Sequence, residues 1–104
     1  MDNTIDNIFD HTKLPQTGKE LFEEILQYKN IKVELITSNN LKNGETYYQD
    51  HDEWVVILEG KAELEMEGTL YSLKAGDHLF IKKSTSHRVV KTSSKTLWLA
   101  VHIY

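Results

Sequence analysis

Apolar and polar residues alternate along much of this chain with a period of two, which is the period of a β-strand. Ile31, Val33 and Leu35 alternate with Lys32 and Glu34. Because successive side chains of a strand point to opposite faces, this alternation predicts a half-buried strand beginning near residue 31.

The same kind of signal recurs through the rest of the chain. Short β-forming segments are separated by turn-forming residues such as Asn43-Gly44 and Glu67-Gly68. About eight or nine short strands with frequent turns predict a sandwich or a barrel. A closed barrel or jelly roll also removes exposed sheet edges, which suits so many short strands. The predicted segments after the first strand are 54–58, 61–67, 70–73, 78–81, 87–92 and 96–103.

The segment before residue 31 has no clear period of two. Residues 1 to about 17 are polar, contain the only proline, Pro15, and are predicted to be a loose lead-in. Residues 19–28 fit either one helical face or a strand buried on both sides, and local helix propensity favours the helix. We therefore divide the chain into an N-terminal arm and lead-in, 1–30, and a barrel domain, 31–104.

Composition limits the classes of function. The chain has 104 residues, which fits one domain, and 39% of them are hydrophobic, which is ordinary for a globular protein. Its net charge is −4 with both signs interspersed, so nucleic acid is not an expected partner. It has no cysteine, which excludes disulfides and thiolate sites. No apolar stretch is long enough to span a membrane, and an acidic N-terminus without an apolar core predicts a cytoplasmic protein.

Two spacings carry a resemblance to a known family. Glu53 is followed after six residues by Gly60, and Gly76 is followed by His87. These spacings resemble the two signatures of the cupin superfamily, over about residues 31–104. The resemblance implies an all-β fold of the cupin type, a double-stranded β-helix or jelly-roll barrel, preceded here by a short N-terminal arm.

The chain departs from the family pattern in both signatures. Lys82 and Ser84 stand where a proline and a glycine are usual in the second signature. In the first, metal-binding cupins carry two histidines before the glutamate, and those positions hold Tyr47 and Gln49. The family's metal therefore cannot simply be carried over.

A different metal site is a hypothesis that the strand period supports. Tyr47, Gln49, His51 and Glu53 share one face of a regular strand. The resemblance implies that Glu53 points into the barrel and that His87 joins it. His51, Glu53 and His87, with the amide of Gln49, would then suit a divalent metal such as Fe, Mn, Ni or Zn.

The alternatives stay open for these residues. His51 lies among acidic residues and also fits a solvated loop. Without a metal, a buried Glu53 needs another partner, such as His87 or a tyrosine hydroxyl. Further candidates for ligand binding are Tyr47, Trp54, Trp98 and His102, with plain core packing as the alternative for the tryptophans.

Three functions follow from these features. The first is a metal-dependent cupin, such as a dioxygenase or isomerase acting on a small polar molecule. The second is a metal-free barrel that binds a small molecule through Glu53 and His87. The third is a structural homodimer without catalysis, which the resemblance implies would use residues 1–30. Neither a nucleic acid nor a membrane is expected as a partner.

Overall fold

A computed structural model of the chain describes residues 4–104, which form nine β-strands and one short 3₁₀ helix. The predicted all-β fold is confirmed. No helix in this range is long and apolar enough to cross a membrane. The elements are the 3₁₀ helix Ile8–His11 and the strands β1 (Lys19–Tyr28), β2 (Ile31–Asn39), β3 (Tyr47–Tyr48), β4 (Asp52–Glu59), β5 (Lys61–Met66), β6 (Thr69–Lys74), β7 (His78–Ile81), β8 (Ser86–Thr92) and β9 (Thr96–Ile103).

The strands form two antiparallel sheets that face each other. One sheet has the order β1-β2-β9-β4-β7, and the other has the order β3-β8-β5-β6. The chain therefore crosses repeatedly from one sheet to the other, as in a jelly roll. The core lies between the sheets and includes Val55, Ile57, Leu64, Leu73, Ile81 and Trp98.

The ambiguous segment 19–28 is a strand, β1, and the helix that local propensity favours is not formed. A tight turn at Lys29, whose φ is 51°, folds the chain back so that β1 pairs along its length with β2. Sheet hydrogen bonds with β2 outweigh a weak local preference. β1 is also less buried than either alternative predicted, since Phe22 is 50% exposed and Leu26 is 52% exposed. Residues before 31 thus contribute an edge strand to the larger sheet.

The N-terminal segment covers part of the outer face of this sheet. His11 contacts the carboxylate of Glu23, which lies directly opposite Leu35 on β2. The side chain of Asn39 donates a hydrogen bond to the carbonyl oxygen of Pro15 at 2.8 Å. Leu35 is only 1% exposed although it does not belong to the core between the sheets. The opposite, polar face of β2 is therefore the one that points inward.

Candidate functional site

A cavity of about 320 Å³ lies between the two sheets and is open at one end. Its volume is at the lower end of the range found for small-molecule sites. The floor is apolar and is formed by Ile36, Val55, Leu64, Ile81, Val89 and Trp98. Polar side chains line the rest, chiefly Lys32, Glu34, Gln49, Glu53, His87 and His102.

Strand register explains why polar side chains gather at one end. Lys32 on β2 pairs with His102 on β9, which in turn pairs with Glu53 on β4. Residues opposite each other on neighbouring strands point to the same face, so the three form a polar row across the sheet. Four residues along, the matching row is Ile36, Trp98 and Ile57, so the same face becomes apolar.

Three of the polar side chains form a hydrogen-bonded chain. Nε2 of His102 lies 3.2 Å from Oε1 of Glu34, and Nδ1 of His102 lies 2.8 Å from Nε2 of His51. The hydrogen bond from His102 lowers the pKa of Glu34, so this carboxylate is an acceptor at neutral pH. Nε2 of His102 donates to this carboxylate, and one proton is shared between Nδ1 of His102 and Nε2 of His51. Both nitrogens of His102 are therefore occupied.

His51 is held by its surroundings as a link in this chain. Its ring stacks on Tyr104 with centroids 4.3 Å apart. Its Nδ1 is buried and has no hydrogen-bond partner among residues 4–104, although Oδ1 of the exposed Asp50 lies 3.5 Å away. The ring orients His102 and Glu34 rather than presenting both nitrogens to the cavity.

Among residues 4–104, Glu53 is the cavity carboxylate that is buried as a residue and has no partner. Burial alternates along β4, and Glu53 lies in the same inward phase as Val55. The residue is 7% exposed, and within the described chain its carboxylate makes no hydrogen bond or ion pair. Removing a carboxylate from water without a partner is costly. A group of this kind in a cavity is a candidate for binding a ligand.

His87 reaches the cavity from the opposite sheet. It is 7% exposed, and its Nδ1 donates a hydrogen bond to the carbonyl oxygen of Thr85 at 3.0 Å. Its other nitrogen, Nε2, makes no hydrogen bond within residues 4–104, and in the neutral ring it carries the lone pair. Tyr47 pairs with His87 across β3 and β8 and stacks on it, with centroids 5.9 Å apart. The ring is fixed in position by the backbone on one side and by the phenol on the other.

The donors predicted for a metal do not fit one in this arrangement. His51 shares its Nε2 proton with His102, while the amide oxygen of Gln49 is buried without a partner. Nowhere in residues 4–104 do three or more histidine, cysteine or acidic side chains form a group that could hold a metal ion. Binding of Fe, Mn, Ni or Zn by His51, Glu53, His87 and Gln49 stays a prediction, and we derive no chemistry through it.

The two tryptophans have different positions. Trp98 lines the cavity and donates its Nε1 proton to Oγ of Ser38 at 3.1 Å. Trp54 does not line this cavity, so the structure adds no support to the prediction that it binds a ligand. On β4 it has the opposite phase to Glu53, and its Nε1 donates to Nδ1 of His78 at 3.1 Å. Tyr47 and His102 line the cavity, and ligand binding by them stays a prediction.

Sequence reasoning missed Glu34 and Lys32 as residues of the cavity. Both alternate with the apolar residues of β2, which normally marks a solvent-facing side. The one local signal is that Ile36 follows them in the same phase, so that this face is apolar further along the strand. Only the pairing of β2 with β9 shows that this face is turned inward.

These features define a small β-barrel with a cavity between its sheets that is polar at its open end. Residues 40–103 match the family model described as the cupin domain, which is more than half of the chain. The chain belongs to the cupin family. The predicted cupin fold is thereby confirmed.

Individual relatives agree with this assignment. One similar crystal structure comes from Ralstonia eutropha and is described provisionally as a mannose-6-phosphate isomerase. Its sequence is 33% identical, the alignment covers 96% of this chain and 97% of the relative, and the TM-score is 0.85. A cupin superfamily protein from Desulfitobacterium hafniense is 14% identical, with coverages of 99% and 93% and a TM-score of 0.79, and shows the fold alone. An uncharacterized protein of Aquifex aeolicus is 40% identical over 55 residues, which are 53% of this chain and 46% of the relative. The match thus spans about half the length of that curated relative.

Proposed function

We propose that this cupin binds a small polar molecule in its cavity, with the polar group of the ligand at Glu53 and His87. The supporting observation is the carboxylate of Glu53, which is 7% exposed and unpaired within residues 4–104. A ligand that donates a hydrogen to this carboxylate would offset the cost of its burial. The apolar part of the ligand would lie on the floor beside Trp98.

The surrounding contacts support rigid placement of these two groups. His87 is held by Thr85 and Tyr47, and its Nε2 is the free nitrogen. The chain from Glu34 through His102 to His51 fixes the side of the cavity next to Glu53. Binding groups that are already held in place lose little conformational entropy when a ligand arrives.

Tryptophan fluorescence tests this proposal directly. The Trp54→Phe variant leaves Trp98, on the cavity wall, as the only tryptophan. We expect a member of a panel of small amines, polyols, carboxylates and sugar phosphates to change its emission with saturation. Glu53→Gln in this background should weaken that response about tenfold or more, because a charge-assisted hydrogen bond is lost.

Glu65→Gln is the matched control. Glu65 lies on β5 outside the cavity and pairs with Arg88 at 3.4 Å. Unchanged binding in this variant is expected. Equal affinity of Glu53→Gln and the parent protein would contradict the proposed role of Glu53.

Metal analysis separates this proposal from the metal-dependent alternative. The alternative predicts stoichiometric Fe, Mn, Ni or Zn in protein purified from metal-replete cells, with loss of the metal in His87→Ala. The metal-free proposal predicts that ligand binding by Trp98 fluorescence persists after dialysis against a chelator. Loss of binding on chelation, restored by one of these metals, would favour the alternative.

We also propose that the chain forms a homodimer through β1. The supporting observation is that this edge strand carries several large apolar side chains that are one-third or more exposed. Edge strands with exposed apolar side chains are prone to pair with another chain. These side chains are Leu21, Phe22, Leu26 and Tyr28, with Ile31 at the start of β2.

A further inference from the structure

The fixed charges of the cavity are predominantly negative. Its lining contains the three carboxylates Glu20, Glu34 and Glu53 but only one lysine or arginine, Lys32. Nζ of Lys32 lies 3.9 Å from Oε2 of Glu34, so the single cation already faces a carboxylate. The charge of Glu53 has no counterpart within residues 4–104.

Two of the histidine rings that line the cavity with Glu53, those of His87 and His102, offer a ligand no free N–H donor when they are neutral. His87 donates through Nδ1 to Thr85, and in its neutral form it has a lone pair on Nε2. Both nitrogens of His102 are used within the chain to Glu34 and His51. A ligand group that reaches Glu53 and His87 therefore meets two acceptors, and it has to bring the hydrogens itself.

The pKa of Tyr47, at the mouth of the cavity, is affected by the same negative charges. Burial raises the pKa of its phenol, and four nearby carboxylates raise it further, because they disfavour a negative phenolate. The four carboxylates are Glu20, Glu45, Glu34 and Glu53.

We propose that the ligand is a small organic cation with an ammonium group and an apolar tail. The ammonium group donates to the carboxylate of Glu53 and to Nε2 of His87, and the tail packs on the floor beside Trp98 and Leu64. This inference rests on the proposed function and specifies the class of ligand. The aromatic ring of Tyr47 at the same end adds a cation–π contact.

The charge pattern argues against a sugar phosphate as the ligand. A phosphate dianion is bound in proteins by arginine, by lysine or by several backbone N–H groups. Among residues 4–104, Lys32 is the only lysine or arginine that lines the cavity, and it faces Glu34. The provisional description of the Ralstonia eutropha relative as a mannose-6-phosphate isomerase therefore does not specify the ligand of this chain.

Three probes with the same tail and different head groups test the proposal. n-Butylamine, n-butanol and n-butyrate present a cationic, a neutral and an anionic group on similar carbon chains. Each is titrated into Trp54→Phe protein at neutral pH while the emission of Trp98 is followed, with mannose 6-phosphate as a fourth probe. We expect n-butylamine to bind about tenfold or more tightly than the other three, and to weaken as salt is added.

Variants of the two contact residues complete the test. Glu53→Gln should remove most of the preference for the amine over the alcohol, and Glu65→Gln should leave it unchanged. His87→Gln is the second variant if Glu53→Gln does not fold, and it should weaken amine binding by a smaller factor. Circular dichroism verifies that each variant is folded.

The remaining outcomes overturn the proposal in distinguishable ways. If n-butanol, n-butyrate or mannose 6-phosphate binds as tightly as the amine, the ligand is not selected as a cation, while the proposed binding function stands. If none of the four probes alters the emission of Trp98, the amine class is rejected, and the wider metabolite panel decides the proposed function separately.

Discussion

Two carboxylates that line the cavity, Glu34 and Glu53, differ in whether their charge has a partner within the described chain. Glu34 accepts a hydrogen bond from His102 and faces Lys32, so its charge is compensated within the chain. Glu53 is as inaccessible as a core residue, yet no described side chain or backbone group pairs with it. Functional sites often retain groups that are unfavourable for stability. Glu53 is such a group, whereas Glu34 has the contacts of a residue that supports the structure.

This difference between Glu53 and Glu34 predicts that Glu53→Gln stabilises the ligand-free protein. Glutamine has the same shape but no charge to desolvate, so we expect the free energy of unfolding to rise by about 1 kcal/mol at neutral pH. Urea unfolding measures this difference. Glu34→Gln is the comparison and should lower stability, because it weakens the hydrogen bond from His102. A loss of stability in Glu53→Gln would mean that its carboxylate has a stabilising partner.

Glu20 predicts a pH dependence of opposite sign to that of a paired carboxylate. Burial raises the pKa of Glu20 above its ordinary value of 4.5, although the hydrogen bond from Ser38 lowers it in part. The folded state therefore favours the protonated form, and this contribution to stability is present below the unfolded pKa and lost as pH rises through the folded pKa. In Glu20→Gln this loss is absent. We expect the two proteins to be similarly stable near about pH 4 and the variant to become the more stable one toward about pH 7.

Urea unfolding across this pH range, with Glu24→Gln as the control, tests the prediction. Glu24 is exposed on the same strand, so its substitution should have little effect at any pH. A difference between Glu20→Gln and the parent that does not grow with pH would contradict the assigned cause.

Glu53 and His87 could be predicted from the sequence, and the chain of Glu34, His102 and His51 could not. The first two lie at fixed spacings from Gly60 and Gly76, which are visible in one dimension. The chain joins β2, β9 and the residue just before β4, and its members are 68 and 51 residues apart. Only the register of β2, β9 and β4 determines that they meet, and nothing local to Glu34 encodes that register.

At the scale of elements, the strand ends show where tight packing constrains the sequence. Gly60 joins β4 to β5 with a φ of +86°, and a Cβ there would lie 2.4 Å from the carbonyl oxygen of Lys95. Gly68 joins β5 to β6 with a φ of +82°, but a Cβ there would meet nothing within 4 Å. The two glycines share a backbone conformation and differ in the space around them.

This pair separates backbone strain from steric contact. We expect Gly68→Ala to cost about 1 kcal/mol, which is the strain of a left-handed conformation at alanine. Gly60→Ala should cost about 3 kcal/mol, because the backbone near Lys95 also has to move. Thermal or urea unfolding of both variants gives the comparison. Equal losses of stability in the two variants would show that the backbone at Lys95 moves aside at no energetic cost.

Strand β1 shows why element type was harder to predict than element number. Leu21, Phe22 and Leu26 satisfy a helical period, and no alternation is visible because the bulge between Glu24 and Leu26 shifts the phase. The burial that normally reveals a strand is also missing, since Phe22 and Leu26 are about half exposed. Pairing with β2 decides the structure, and pairing is a property of two segments together.

At the scale of the whole molecule, one end of the barrel combines the mouth of the cavity with exposed apolar surface. Glu20 and Phe22 on β1 line the cavity, and Phe22 is 50% exposed. The wall that β1 contributes is therefore only partly covered. A second copy packed on β1 would bury this surface and narrow the mouth.

The proposed homodimer leads to a prediction about mass and its dependence on β1. Light scattering coupled to size exclusion should give a dimer at micromolar concentration, and Leu26→Lys should shift it to the monomer, because a buried unpaired charge is costly. Leu70→Lys is the control, since Leu70 is 54% exposed, close to the 52% of Leu26, and lies on β6, the edge of the other sheet. If the parent protein is a monomer, the interface is absent. If Leu70→Lys rather than Leu26→Lys dissociates the dimer, the contact uses the four-stranded sheet, and the mouth of the cavity stays open in the assembly.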